Sequence, residues 1–134
     1  MNIRVKQRDI TDCGAACLAS VAAFYNVSLP VSKIRQFAGT DSKGTNVLGL
    51  IEAAVKMGFT AKGVRGEWDS LFKIPKPAIA HLIVKKVLTH YVVITRTTKN
   101  YIEIMDPGDG ELHKVPYDKF KAEWTGVLLL IAPG

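Results

Sequence analysis

Cysteine is scarce in this chain, with two in 134 residues. Two cannot build a disulfide framework, so the fold must hold by packing alone, as expected in the reducing cytoplasm. Aromatic residues are 8% and charged residues 22%, against 48% hydrophobic. That balance excludes disorder, collagen and coiled coil. The start, Met1-Asn2-Ile3-Arg4-Val5-Lys6, lacks the apolar stretch of a secretory signal. One charge-free run, Cys13 to Ser32, has the length of a bilayer span, but Gly14, five alanines, Ser20, Asn26, Ser28 and Pro30 leave it too little Leu, Ile or Phe. A fully buried core helix is the remaining reading, and with it no membrane span. No repeat, linker, low-complexity tract or nucleotide-binding loop of the Walker kind is present.

The length suits a single domain over residues 1–134. Net charge is +6 and the pI about 9.4, which would favour an acidic partner. The basic residues are scattered, with small clusters at Arg4, Lys6 and Arg8 and at Lys85 and Lys86, and there is no aromatic–basic alternation. A solvated surface is therefore preferred to a nucleic-acid footprint.

The first half reads as helical. Thr11 or Asp12 can cap a helix whose inward face is Leu18, Val21, Ala22 and Tyr25, and Asn26 is a left-handed stop. A shorter helix after Ser32 carries Ile34 and Phe37 up to the loop Gly39-Thr40-Asp41-Ser42-Lys43-Gly44. A third is capped by Thr45 or Asn46, striped by Val47, Leu50, Ile51, Ala54 and Val55, and ended by Gly58. Phe59 to Val64 and a turn of helix around Trp68 to Phe72 follow. Beyond Pro75 and Pro77 the period changes, with strands expected at Ala78–Val84, His90–Thr95, Tyr101–Met105 and Gly126–Ala132. Short connections imply antiparallel pairing. The expected class is α+β, with N-terminal helices packed on one side of a mostly antiparallel sheet.

Cys13 follows the candidate cap in Asp12-Cys13-Gly14, at the positive end of a helix, where the dipole and unpaired backbone N–H groups favour a thiolate. Gly14 would leave room for a substrate backbone. A cysteine nucleophile needs a base, normally histidine, oriented by an acid or amide. Of three histidines, His90 opens one strand and Asp106 ends the next. With a turn centred near Thr98 the two would lie opposite each other at one sheet edge. His81 reads as a satisfied sheet histidine, and His113 falls on a hairpin after the glycine turn. A Cys2His2 metal site built on Cys13 and Cys17 has poor spacing for zinc, so no metal is expected and Cys17 reads as core.

Three blocks carry a resemblance: Gln7-Arg8-Asp9-Ile10-Thr11-Asp12-Cys13-Gly14-Ala15-Ala16-Cys17-Leu18, then His90-Tyr91-Val92-Val93, then Asp106-Pro107-Gly108-Asp109-Gly110. Together with Pro77-Ala78-Ile79-Ala80-His81-Leu82 they resemble the double-glycine leader peptidases that form the N-terminal domain of bacteriocin- and peptide-exporting ABC transporters. The resemblance implies a papain-like fold and cysteine endopeptidase activity on a precursor peptide after a Gly-Gly or Gly-Ala pair. It also implies an amphipathic leader helix read through an apolar groove, for which Met57, Phe59 and Trp68 are candidates equally readable as core. The partners implied are the membrane and ATPase domains of a transporter, at the cytoplasmic side of the bacterial membrane. No cofactor is implied for this domain, ATP belonging to the transporter part. By motif position Cys13 is implied as nucleophile, His90 as base and then acid, Asp106 as the group that orients it, and Gln7 as oxyanion-hole donor. A recruitment domain without catalysis, another papain-like amidase or acyl transferase, and a basic nucleic-acid binder are the rival readings.

Overall fold

A computed structural model of the chain describes residues 3–7, 10–40 and 44–134. Arg8 and Asp9 of the first motif, and Asp41, Ser42 and Lys43 of the loop, lie outside the described residues. Helices α1 (Cys13–Phe24), α2 (Val31–Ala38) and α3 (Val47–Lys56) come first. Strands β1 (Phe59–Arg65), β2 (Ala78–Val84), β3 (Leu88–Thr97), β4 (Tyr101–Asp106) and β5 (Glu111–Pro116) follow, then helix α4 (Tyr117–Glu123) and strand β6 (Trp124–Pro133). The strands form one sheet in the order β1-β6-β2-β3-β4-β5, antiparallel at every pairing.

Helix α1 is buried on every side from Gly14 to Ala22, and its alanines are what allow it. Small side chains let the sheet and the other two helices close on the backbone, while Leu18 and Val21, both fully buried, each contribute about 1.5 to 3 kcal/mol of apolar burial. The helix stops as expected at Asn26, which adopts φ 65°. Val27 N–H reaches Ala22 C=O at 2.9 Å and Asn26 N–H reaches Ala23 C=O at 3.0 Å, the paired bonds of a Schellman ending. Asn46 caps α3 by accepting from Gly49 N–H at 2.8 Å. Its buried stripe is Gly49, Leu50, Ala53 and Ala54; Val55, expected inside, is exposed because its position on the helix turns away from the sheet.

Two features go beyond the expected architecture. Helices α1 to α3 cover one face of the sheet, but the opposite face is covered too, by Leu71 of the 3-10 turn Trp68–Phe72 and by Phe120 of α4. The polar run Tyr-Asp-Lys-Phe-Lys-Ala-Glu of α4 hides this role, since Phe120 is its one buried residue. Between β2 and β1 lies β6, drawn from the far end of the chain, a pairing that no local pattern announces. Met57 and Trp68 are partly buried against the core and Phe59 is buried in it.

Candidate active site

The N-terminus of α1 meets the β3–β4 end of the sheet, and three side chains converge there. His90 Nε2 lies 2.8 Å from Asp106 Oδ1. Cys13 is near enough to the same imidazole to strengthen its hold on a proton by hydrogen bonding and charge. His90 and Asp106 do not sit directly opposite each other. The register pairs Val93 with Met105 and Ile94 with Ile104, then shifts at a bulge before Arg96 pairs with Glu103. Asp106 is therefore one diagonal step from His90, still within reach of a long side chain. The turn is closed by Thr98 N–H to Tyr101 C=O at 3.0 Å, so its centre lies past Thr98.

Burial opposes the charge on His90, but the hydrogen bonds it donates to Asp106 and Cys13 and its electrostatic attraction to them outweigh burial, raising the imidazole to about 9. Burial likewise opposes the Asp106 carboxylate, and here the His90 hydrogen bond and the Gly108 N–H, 2.8 Å away, prevail and hold it below the usual carboxylate range. At neutral pH the pair is therefore an imidazolium beside a carboxylate, with the Cys13 sulfur on the other side. Cys17, one turn along α1, is fully buried, and burial pushes its thiol well up. It is core, as the sequence implied.

Gln7 reaches the site by a route that its sequence neighbours do not reveal. Residues 3–7 are tied down by Ser20 Oγ to Ile3 C=O, by Arg4 to Glu111 at 3.2 Å, and by Gln7 N–H to Pro107 C=O at 2.8 Å. Gly110, at φ +74°, lets this segment pass: a Cβ there would stand 2.9 to 3.0 Å from Lys6, backbone included. Gln7 consequently lines one cleft with Leu88, Thr89, His90, Asp106 and Gly108, about 300 Å³ in volume. Another hollow, of about 390 Å³, is walled by Gly39, Thr45, Asn46, His81 and Tyr91.

Asp12 and Gly14 have different work from that expected. Asp12 makes no side-chain cap bond. Its carboxylate is almost fully buried and paired with Arg35 of α2, whose Nη1 also donates to Thr11 Oγ1 at 2.7 Å. The start of α1, and with it Cys13, is thereby stapled to α2. Arg35 was missed because only the fold reveals which carboxylate it meets. Gly14 faces the core: a Cβ would touch Leu50 and Tyr91 at 3.3 Å. Glycine lets α1 pack closely on α3 and β3, so it is a packing residue. His81 is satisfied as expected, with Nδ1 3.1 Å from Thr125 Oγ1 and its ring on Tyr91; burial lowers its pKa. His113 does lie on the hairpin strand β5 and pairs with Asp109 at 2.7 Å. Among the described residues there is no cluster of three or more side chains that could hold a metal ion, and no helix is long and apolar enough to cross a membrane.

Comparisons with known proteins give the chain its family and its fold relatives. The transport/processing ATP-binding protein ComA of Streptococcus pneumoniae is 38% identical over 131 residues, 95% of this chain and 18% of that protein. The lactococcin-G-processing and transport protein LagD of Lactococcus lactis is 36% identical over 132 residues, again 18% of its length. The chain thus spans under a fifth of these relatives. The crystal structure of the peptidase domain of Streptococcus ComA superposes with TM-score 0.91 at 35% identity, covering 97% of both chains. A double glycine motif protease from an AMS/PCAT transporter, solved with its leader peptide, superposes with TM-score 0.89 at 34% identity, covering 97% of this chain and 90% of that one. The α+β, papain-like arrangement is therefore shared with these peptidase domains. Residues 2–134 match the model of the peptidase C39 family, and this chain belongs to that family.

Proposed function

We propose that this domain is a cysteine endopeptidase that removes the leader from precursor peptides after a Gly-Gly or Gly-Ala pair. The observation that carries the reading is the His90–Asp106 hydrogen bond with Cys13 acting on the same imidazole. The relatives named for processing and transport, and the related protease solved with a leader peptide, support the substrate class.

Acyl transfer in two steps fits the residues present. The Cys13 sulfur, as thiolate, attacks the carbonyl carbon of the second glycine, and the C=O π pair moves to oxygen. The oxyanion would be held by the Gln7 amide and the Cys13 backbone N–H, at the junction of the 3-10 turn Ile10–Asp12 with α1. Collapse breaks the C–N bond, and the His90 imidazolium gives its proton to the leaving amine. Neutral His90 then takes a proton from water, whose oxygen attacks the thioester carbonyl; collapse breaks the C–S bond, the leader leaves as a carboxylic acid that gives its proton to solvent, and the Cys13 thiolate beside the His90 imidazolium is restored. Asp106 keeps the imidazole oriented and stabilises its cation without itself being protonated. The donor set needs no cofactor for these steps. A requirement for glycine on the leader side would come from steric rejection of any Cβ beside the thiol.

The domain is proposed to act at the cytoplasmic face of the bacterial membrane as part of a peptide exporter, passing its product to membrane and ATPase domains such as those of its relatives. Incubation with a synthetic precursor whose leader ends in Gly-Gly, followed by mass spectrometry, tests the reading. One cut after the second glycine is expected; an intact precursor beside an alkylatable Cys13 would refute it.

A further inference from the structure

The hairpin of β2 and β3 borders two hollows, with Thr89 shared between them. Register pairs His81 with Tyr91 and Ile83 with Thr89 on one face, and Leu82 with His90 and Val84 with Leu88 on the other. The His81 face borders the 390 Å³ hollow beside Gly39 and Asn46. The His90 face borders the 300 Å³ cleft that also contains Gln7 and Asp106. Lys85 and Lys86, at φ 54° and 66°, form the tight turn between the strands, closed by Val87 N–H to Val84 C=O at 3.2 Å. The connection is three residues long, 85–87, and the direct pairing of Val84 with Leu88 holds both at the rim.

We infer that the cleft lined by Val84, Leu88 and His90 receives the side chain of the first residue after the scissile bond, and that it selects a large apolar one. The inference rests on the peptidase reading above. The leaving nitrogen must take its proton from His90, so the residue carrying that nitrogen lies against the imidazole and whatever adjoins it. Beside His90 on its own face of the hairpin stand Val84, partly buried against the core, and Leu88, 51% exposed. The hollow on the opposite face is lined by neither His90 nor Gln7, which leaves it to the leader side. Leu88 thus acts on specificity, leaving the bond-making steps to Cys13 and His90.

Four precursors with one leader and one Gly-Gly pair, differing only in Leu, Phe, Ser or Asp as the first product residue, should be offered together and their kcat/KM ratios read by mass spectrometry. Leu and Phe should exceed Ser and Asp by about tenfold or more, the discrimination a hydrophobic pocket gives for a few methylene groups. In L88A the Leu-to-Ser ratio should contract to about threefold or less, and in L88K the Asp peptide should gain on the Leu peptide. Leu88 is half exposed, so both variants retain the core. Equal rates for all four peptides in the wild type, or an unchanged ratio in L88A, overturn the inference while the peptidase reading stands. No cleavage of any peptide overturns both.

Discussion

Two histidine–aspartate pairs sit at the same end of the sheet with nearly the same geometry. His90 and Asp106 are 2.8 Å apart, and His113 and Asp109 are 2.7 Å apart. Distance does not distinguish them, but surroundings do. The first pair has side chains 20% and 34% exposed, the second 44% and 52%. The first joins two strands, has Gly108 N–H on its carboxylate and a thiol on its imidazole; the second spans four residues of one turn and strand. In water an ion pair contributes little, whereas partial burial and a third partner shift the proton affinities of the same two groups.

Substitutions in and around the buried pair should be far more damaging than those at the exposed one. His90→Ala should lower kcat/KM by about 10⁴-fold, the scale of losing a catalytic triad member. Gln7→Ala should lower kcat by about a hundredfold with little change in KM, since an oxyanion donor acts in the transition state. Arg35→Ala leaves Asp12 buried without its guanidinium and should cost about 2 to 3 kcal/mol by urea denaturation, somewhat below a fully buried pair because Arg35 remains 31% exposed.

The pH profile sharpens the contrast further. Folded His90 keeps its proton to about 9 against an ordinary 6.5, so its contribution to stability is full below 6.5 and is lost as the pH rises to 9. Activity should fall on the alkaline side near the same value, where the imidazolium can no longer protonate the leaving amine. In Asp106→Asn that alkaline limb should move to lower pH, because the hydrogen-bonded negative charge that holds the proton is gone. His113→Ala should leave both the limb and kcat/KM within about twofold of wild type, as for an exposed pair. An effect as large as that of His90→Ala would erase the distinction.

The parts of this site legible in the sequence are those written locally. Cys13 after a helix-start signal, Asn26 as a stop, and His90 and Asp106 on neighbouring strands follow from residue type and spacing. The bulge before Arg96 was not legible, because one extra residue in a ladder depends on the partner strand. Gln7, Gly110 and Arg35 were silent for the same reason: each acts through a residue far along the chain, Pro107, Lys6 and Asp12 respectively. For Gln7 the motif resemblance supplied what local pattern could not. Gly14 was misread because a glycine beside a nucleophile offers space in two directions, and the fold spends it on the packing of α1.

The central claim is that Cys13 forms the bond to the leader, and an acid-quenched reaction analysed by intact-protein mass spectrometry tests it most directly. During turnover of a double-glycine precursor the protein should gain the mass of the leader acyl group, located on Cys13 by peptide mapping, and Cys13→Ala should show neither adduct nor product. Product formed by Cys13→Ala, or an adduct mapped to Cys17, would contradict the account.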